Sequence, residues 1–509
     1  MTSQDPAPGA VFLSFSPQSA SERTPLLADS SPESINPGRR PLCGTGADPE
    51  VAQEDLVVGW VQEARLLSRN SLPLIVAGLL QHSLGLTNVF AVGHLGKTEL
   101  AAVSLSVMSA NITGYAVYQG MATALDTLCA QAYGSEKQHL VGLYFQQMVF
   151  FLWMLTIPIS IIWFHADKIL GVLVPDKSTA DLAGLYLRIL LLGAPGYASF
   201  EAGKRFLQAQ GIFHATTYIL LFVAPLNMFT NWFLVWKMEL GFIGAPISAA
   251  ISNNLLPFFL FLYVYFIDGK KCWNGFTTKA FRNWGTMIQL AFPGFIMLEA
   301  EFLAFEVLTL AASYLSTTQL AAQSILSPLI ALTFQVPFAL AVASSTQIGN
   351  LIGAGFTHPA KQCAKMAAVG AGLAGVFNFG LMICLGGSAA RWLTDDESVI
   401  EQVIKVIPVI AAFQLVDSLA TTMNGTLRAL GKQLVGSFIS ILCYYIIAMP
   451  ISFTAAFWLK WELIGLWTGI AVALTLNSVI IGGYLVYRVS WDVAVSAAQE
   501  RNAKATLDS

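Results

Sequence analysis

The chain has 509 residues, of which 55% are apolar and only 11% are charged. A typical soluble domain is about 25% charged, so this composition excludes an ordinary soluble protein. The formal net charge of −3 is too small to indicate a nucleic-acid partner. The apolar residues form long blocks, which predicts a polytopic membrane protein in contact with the lipid bilayer. Six scattered cysteines and six dispersed histidines show no metal-ligand spacing, so we expect no disulfide framework, metal or organic cofactor.

A polar tail precedes the first apolar block. Residues 1–55 are rich in Ser, Pro, Asp and Glu, and we predict that they are disordered. They lack the apolar core of a signal peptide, so the first span is expected to direct membrane insertion. The segment Glu22–Leu27 resembles an acidic dileucine sorting signal, which predicts adaptor binding and a cytosolic N-terminus. A pattern this short also arises by chance, and both interpretations stay open.

Apolar blocks between charged or Gly/Pro-rich breaks predict twelve transmembrane spans. They lie near residues 72–93, 100–124, 141–164, 182–200, 213–236, 242–267, 286–314, 320–343, 366–389, 399–422, 434–458 and 463–487. The longest polar break between spans, from Asp268 to Arg282, leaves six spans on each side. The predicted domains are a cytosolic N-tail (1–55), an N-lobe (56–267), a cytosolic linker (268–285), a C-lobe (286–489) and a cytosolic C-tail (490–509).

Lys and Arg residues are distributed unevenly between the two sides that twelve spans would create. The tails and the loops after even-numbered spans hold 19 of them, and the opposite loops and span ends hold 7. Lys and Arg concentrate on the cytosolic side of membrane proteins. The sequence therefore predicts that both termini are cytosolic, in a multi-pass protein of the plasma membrane or the vacuolar membrane.

Three segments of the first half recur in the second half at a nearly constant offset. The matches are 95–102 with 315–322, 127–134 with 346–353, and 206–211 with 426–431. The second match pairs Gln131 with Asn350. Since each half has an even number of spans, the repeats are parallel and related by an axis along the membrane normal. We predict an all-α protein with twelve transmembrane helices in two six-helix lobes, related by pseudo-two-fold symmetry, with a central cleft suited to alternating access.

Three carboxylates lie within the seventh span. Glu299, Glu301 and Glu306 fall inside an apolar run from about residue 287 to 315. An acidic residue near the bilayer centre costs about 2.5–3.5 kcal/mol on insertion scales, so such residues face a bundle interior or a water-filled cavity. There they can bind a cation or a proton, which predicts the ion-coupling site of a secondary transporter. The structural alternative is a set of buried acids held neutral or hydrogen-bonded within the bundle.

Helical geometry bears on which of these acids form a pair. At about 100° per residue, Glu301 and Glu306 point roughly 140° apart, whereas Glu299 and Glu306 are seven residues apart and nearly share a face. A distortion after Pro293 could rotate these faces relative to the rest of the span, but would not change the angle between Glu301 and Glu306. Periodicity thus favours Glu299 as the partner of Glu306.

A set of ordered motifs resembles the multidrug and toxic compound extrusion (MATE) transporters in their eukaryotic branch. The motifs lie within 93–100, 126–134, 206–210, 349–355 and 425–428, and the resemblance covers about residues 60–490. It implies a Glu-x₄-Glu pair at Glu301 and Glu306 and a further acid at Asp417, as proton-coupling and cation-binding residues. It also implies that Gln81 and Asn111 line the cavity.

The sequence departs from the family pattern in the aromatic positions. Two tryptophans that often follow the first Glu are replaced by Phe302 and Leu303, and two tyrosine positions hold Ser327 and Phe334. Phe302 and Phe334 are candidates to stack on an aromatic or cationic substrate, with packing against lipid or other helices as the alternative. We predict substrate-cleft roles for these two residues together with Gln81, Asn111 and Glu299.

The expected function is proton-coupled antiport of an organic cation or amphiphile by a monomer, with H⁺ as coupling ion and Na⁺ as the alternative. A lipid-linked precursor flippase of the same superfamily would need a cationic cleft, and an intramembrane aspartyl protease would need a second aspartate facing Asp417. Three other polar features have simpler interpretations. Glu201 and Arg205 are predicted to form an i,i+4 ion pair, Asp126 is predicted to be structural, and Arg188 has no evident partner.

Overall fold

The computed structural model describes residues 59–173, 176–394 and 396–508, which contain helices and turns but no strand. The first half forms α1 (Trp60–Gly93), α2 (Lys97–Gly134), α3 (Gln138–Phe164), α4 (Ala166–Leu173), α5 (Lys177–Ala209), α6 (His214–Lys237) and α7 (Gly241–Phe266). The second half forms α8 (Gly285–Ser313), α9 (Thr317–Gly353), α10 (Thr357–Leu393), α11 (Glu397–Ala429), α12 (Gln433–Trp458), α13 (Glu462–Tyr487) and α14 (Trp491–Asp508).

Each of the twelve predicted spans corresponds to one long helix. Within the described ranges, eleven helices are long and apolar enough to cross a membrane. Helix α8 also has the required length, 29 residues, but carries three carboxylates. The all-α prediction is therefore confirmed. Among the described residues, two α-helices lie outside the predicted spans: the short α4, and α14 in the segment predicted as a C-tail. The Glu22–Leu27 motif lies outside the described residues.

The helix boundaries confirm the duplication. Helix α5 covers 177–209 and helix α11 covers 397–429, so both ends are displaced along the chain by the offset of the sequence repeats. Their N-caps are equivalent too, since Asp176 accepts a hydrogen bond from the Ser178 backbone at 3.1 Å and Asp396 accepts one from the Ser398 backbone at 2.9 Å. Hydrogen bonds from the Thr179 and Ser178 hydroxyls hold the pKa of Asp176 below its ordinary value, and the Ser398 hydroxyl does the same for the pKa of Asp396.

Each lobe has its own apolar core, but the lobes exchange the first turns of α1 and α8. The N-lobe core extends along the chain as far as Ala291, and the C-lobe core begins at Ala300, so α8 passes from one core to the other. Helix α1 does the converse, since Leu67 packs in a cluster with Leu340 and Ile348 of α9. This reciprocal exchange follows from the two-fold relation and joins the lobes on the side where α1 begins. We call that side the tail side.

The last turns of α2 and α9 cross on the tail side at backbone contact. Gly134 lies against the carbonyl of Asn350, and Gly353 lies against the carbonyl of Gln131, so a methyl group at either glycine would collide with that oxygen. We use the name tail-side seam for the contacts between the lobes in this region. They join residues 126–134 of α2 to residues 341–353 of α9 and to residues 425–433 of the C-lobe. The seam brings the tail-side ends of the two lobes together.

Helix α14 packs over this seam. Its inner face buries Trp491, Ala494 and Ala498 against residues of α9 and α10. Arg501 Nη2 donates to Gln131 Oε1 at 2.8 Å, and Asn502 Nδ2 donates to the Gln131 carbonyl oxygen at 3.1 Å. Helix α14 therefore contacts both lobes on the tail side.

Candidate functional site

The three acids of α8 separate into two groups. Glu301 is buried, with 7% of its surface exposed, whereas Glu299 and Glu306 are half-buried. Glu301 lies within electrostatic reach of Asp417 and Arg428, both on α11. Glu299 lies within electrostatic reach of Glu306 instead. This proximity of Glu299 and Glu306 agrees with their predicted common helix face, whereas Glu301 lies near Asp417 of a distant helix.

Packing on two sides positions Glu301. Helix α8 continues through Pro293 and packs closely on α2, where Gly120 lies against Phe295. On the other side, the Tyr445 hydroxyl donates to the Ala300 carbonyl oxygen at 3.2 Å. The turn that carries Glu301 is therefore held between α2 of the N-lobe and α12 of the C-lobe.

Asp417 lies in a polar interior of the C-lobe. It is 2% exposed, and among the described residues no protein donor satisfies its Oδ1. Ser418 Oγ and Asn477 Oδ1 are likewise buried without a protein hydrogen-bond partner there. Buried polar atoms are nearly always partnered in folded proteins. The unpartnered Asp417 carboxylate oxygen is therefore suited to bind a proton or a small cation.

Tyr444 is a further polar neighbour that the sequence analysis missed. It is fully buried and lies within electrostatic reach of both Glu301 and Asp417. It belongs to a π-helical segment of α12, Leu442–Ala448, and π-helical turns occur frequently at functional sites. A tyrosine inside an apolar span is a weak signal by itself, because 14 tyrosines are spread along the chain.

The N-lobe contains a separate polar network, which includes Gln81. Gln81 Nε2 donates to the Tyr197 hydroxyl at 3.2 Å and to Glu201 Oε1 at 3.3 Å. Glu201 pairs with Lys204 at 2.6 Å and with Arg205 at 3.0 Å, which confirms the predicted i,i+4 pair. The structure therefore gives Gln81 a set of N-lobe partners, apart from the acids of α8.

The other predicted cleft residues lie at separate positions. Asn111 is exposed and begins the π-helical turn Asn111–Tyr115 of α2. Phe302 is half-buried on α8, and Phe334 is half-buried on α9, where its ring lies 5.8 Å from that of Phe338. The substrate-cleft roles of Asn111, Phe302 and Phe334 therefore stay predictions.

Arg188 has a partner that the sequence did not reveal. Its Nη2 lies 2.7 Å from Asp167 Oδ1, and its Nε donates to the Phe164 carbonyl oxygen at 2.8 Å. Asp167 belongs to the short helix α4, which was not predicted. In the described part of the chain, no group of three or more His, Cys, Asp or Glu side chains is arranged to hold a metal ion.

Comparison with known proteins identifies the family. The family model MatE matches residues 73–233 and again residues 293–454, once in each lobe. The chain belongs to the MatE family. The starting points of the two matched segments in this MatE chain, residues 73 and 293, agree with the offset of the internal repeat.

Relatives of this MatE protein occur across eukaryotes. An uncharacterized transporter of Schizosaccharomyces pombe is 38% identical over 447 residues, which cover 87% of this chain and 82% of that protein. Multidrug and toxin extrusion protein 2 of Mus musculus is 32% identical, over 86% of this chain and 77% of that protein. Protein DETOXIFICATION 16 of Arabidopsis thaliana is 32% identical, over 84% of this chain and 89% of that protein.

A solved structure supports the fold. The crystal structure of the eukaryotic MATE transporter AtDTX14 matches with a TM-score of 0.83 at 26% identity, over 87% of this chain and 99% of that one. The MatE chain is therefore a multi-pass membrane protein of a transporter family. Its relatives support a transport function and give no support to the intramembrane-protease alternative.

Proposed function

We propose that this MatE-family protein is a proton-coupled antiporter that exports organic cations, xenobiotics or secondary metabolites. The relatives named for multidrug and toxin extrusion support the substrate class. The observation that carries the coupling assignment is the buried pair Glu301 and Asp417, which lie within electrostatic reach of each other, together with the Asp417 Oδ1 atom that has no protein hydrogen-bond partner among the described residues.

The chemistry of this pair suits an exchange of cations. Two carboxylates close together in a poorly solvated interior repel each other, so either a proton or a cationic substrate stabilises them. When both are ionised, they attract a positively charged substrate. When protons neutralise them, that attraction is lost and the substrate leaves. Binding of the two cations is thus mutually exclusive, which is the requirement for antiport.

The tail-side seam supports an order for the steps of transport across the membrane. The tail side is taken as cytosolic because Lys and Arg residues concentrate there. The lobes meet at the tail-side seam, an arrangement expected of the state that opens to the opposite side. From that side the acids take up protons and release substrate. After the lobes rock, the acids release protons to the cytosol and bind the next substrate. The membrane itself is proposed to be the plasma membrane or the vacuolar membrane.

Transport in proteoliposomes tests the proposal. The full-length protein is reconstituted, and uptake of the permanently charged dye ethidium into liposomes with an acidic lumen is followed by fluorescence. We expect uptake to require the pH gradient, and to fall at least about tenfold in Glu301→Gln and Asp417→Asn, since each removes an ionisable group from the pair. Glu401→Gln and Asp181→Asn change exposed acids and serve as matched controls.

The outcomes separate the alternatives. Uptake that needs ATP and ignores the pH gradient would overturn the antiport proposal. Uptake driven by a sodium gradient alone would replace H⁺ with Na⁺ as the coupling ion. Competition by a lipid-linked pyrophosphate, without competition by organic cations, would favour the flippase. Light scattering of the purified protein tests the proposed monomer, and a Leu26→Ala, Leu27→Ala double variant tests adaptor-dependent sorting by its location in cells.

A further inference from the structure

An arginine of the C-lobe reaches across the tail-side seam to an acid of the N-lobe. Arg428, at the tail-side end of α11, is 4% exposed, and its Nε lies 3.4 Å from Asp126 Oδ2. Asp126 Oδ1 lies 3.3 Å from Nε of Arg205, on its own lobe. The Asp126 carboxylate therefore lies between one arginine of each lobe, and its side chain is only 9% exposed.

The backbone around Arg428 is tied to the same place. The Thr127 hydroxyl donates to the Arg428 carbonyl oxygen, and Gln433 Nε2 donates to the Thr127 hydroxyl at 2.7 Å. The next carbonyl, that of Ala429, accepts from Gln131 Nε2 at 2.8 Å. These bonds all cross between the lobes. Separation of the lobes on the tail side must break them together with the Asp126–Arg428 ion pair.

The charges of the N-lobe balance among themselves, but the approach of Arg428 from the C-lobe adds one cation to the group. Asp126 and Glu201 face three cations, Lys204, Arg205 and Arg428. One positive charge is left without an anion in this group. A buried charge requires a partner, because its desolvation costs several kcal/mol.

A further anion within electrostatic reach of Arg428 is the coupling acid. Glu301 lies within electrostatic reach of Arg428. Packing supports this placement, because Gly436 lies against both the Met297 sulfur and the Leu427 side chain. Met297 is one helical turn before Glu301, and Leu427 precedes Arg428. The α8 turn next to the coupling acid is thereby held beside the end of α11.

We propose that Arg428 is a positioning residue that couples proton binding at Glu301 to closure of the tail-side seam, because it is shared between Asp126 across the seam and Glu301 in its own lobe. This inference rests on the proposed function of Glu301. When the seam is closed, Asp126 holds the guanidinium. When the lobes separate, Asp126 is withdrawn with the N-lobe, and the full charge of Arg428 acts on Glu301.

The direction of this coupling suits an exporter. The seam-open state stabilises the ionised form of Glu301, so a proton leaves toward the tail side. By thermodynamic reciprocity, protonation of Glu301 favours the closed seam by the same factor. The other groups that face the site do not supply this difference. Asp417 and Tyr444 lie with Glu301 in the C-lobe, while Lys204 and Arg205 stay with Asp126 in the N-lobe.

A distance measurement that needs no transport tests the coupling. Spin labels are placed at His139→Cys and His358→Cys, two exposed tail-side positions on α3 and α10, in the full-length protein in lipid nanodiscs. Cys43 and Cys384 are replaced by serine so that they do not take up label. The other cysteines are kept because they are buried. The distribution of distances between the two spin labels is measured at pH 5 and at pH 8. It gives the ratio of molecules with a closed seam to molecules with an open seam.

We expect this ratio to rise by about fivefold or more between pH 8 and pH 5 in the parent, within the usual range of coupling between two sites. Arg428→Gln and Asp126→Asn should each remove most of this change, whereas Arg428→Lys should keep it. Glu301→Gln should favour the closed seam at both pH values. Arg188→Gln is the matched control, because it breaks an ion pair within one lobe and should leave the change intact.

Different results would overturn the coupling role of Arg428 and the proton-coupled antiport. A full pH-dependent change in folded Arg428→Gln and Asp126→Asn proteins overturns the role of Arg428, even if transport is proton-driven. A change that disappears in both variants, together with transport that ignores the pH gradient, supports the role of Arg428 and overturns the antiport. If Arg428→Gln unfolds, the Asp126→Asn and Arg428→Lys results decide the question.

Discussion

Gln131 and Asn350 make equivalent hydrogen bonds from one lobe to the other. Gln131 Nε2 donates to the Ala429 carbonyl oxygen at 2.8 Å, and Asn350 Nδ2 donates to the Ala209 carbonyl oxygen at 3.3 Å. The repeat offset predicts both pairs, Gln131 with Asn350 and Ala209 with Ala429. Each amide thus holds the tail-side end of the opposite lobe's equivalent helix. The duplication is therefore preserved in the interface between the lobes as well as in their folds.

The glycine contacts at the seam predict a steric cost. A methyl group in Gly353→Ala would collide with the Gln131 carbonyl oxygen, and one in Gly134→Ala would collide with the Asn350 carbonyl oxygen. We expect each substitution to destabilise the protein by about 1–3 kcal/mol, as overpacking does. Thermal unfolding in detergent measures this. Gly372→Ala, in open space on α10, is the control, and equal melting temperatures for Gly353→Ala and Gly372→Ala would contradict the contact.

Helix α14 should stabilise the closed seam. Arg501→Ala removes the charged hydrogen bond to Gln131 Oε1. Hydrogen bonds to charged groups contribute about 1.5–3 kcal/mol, so we expect a lower melting temperature and a larger open fraction in the spin-label measurement. Lys504→Ala, at an exposed position one turn away, should change neither. An Arg501→Ala protein that behaves like Lys504→Ala would show that α14 only rests on the seam.

Glu299 and Glu306 should act on substrate binding more than on coupling. They are half-buried and near each other, apart from the Glu301–Asp417 pair. Loss of one such charge changes the attraction for a cation by about 1 kcal/mol, or roughly fivefold in apparent KM. We therefore expect Glu306→Gln to raise the KM for ethidium and to keep the dependence on the pH gradient. Loss of that dependence would instead place Glu306 in the coupling site.

Tyr444 should contribute to coupling through its hydroxyl. Tyr444→Phe keeps the buried ring and removes the group that lies near both Glu301 and Asp417. We expect the proton-driven rate to fall by roughly tenfold, the effect of about 1.4 kcal/mol, without loss of folding. Tyr487→Phe, which alters an exposed tyrosine, is the control. Unchanged transport by Tyr444→Phe would assign Tyr444 a packing role alone.

Much of the fold can be predicted from the sequence alone, because it follows from local residue patterns and from the internal repeat. Long apolar blocks can satisfy their backbone hydrogen bonds in a bilayer only as helices, so hydropathy predicts the spans closely. Duplication predicts the pairing of Gln131 with Asn350 because equivalent segments fold equivalently. The seven-residue spacing of Glu299 and Glu306 predicts that they share a face, since two turns of helix bring a side chain back to the same direction.

Tertiary structure decided which distant residues meet. Asp417 lies three helices further along the chain than Glu301, and no periodicity within α8 specifies which residue of α11 faces it. Helix α14 has a short buried face that exists only once both lobes are assembled beneath it, and Arg188 finds Asp167 only because α4 folds back beside α5. Asp126, structural by its position alone, meets Arg428 because the lobes close on each other. Charges far apart in the chain acquire partners only when packing brings their helices together.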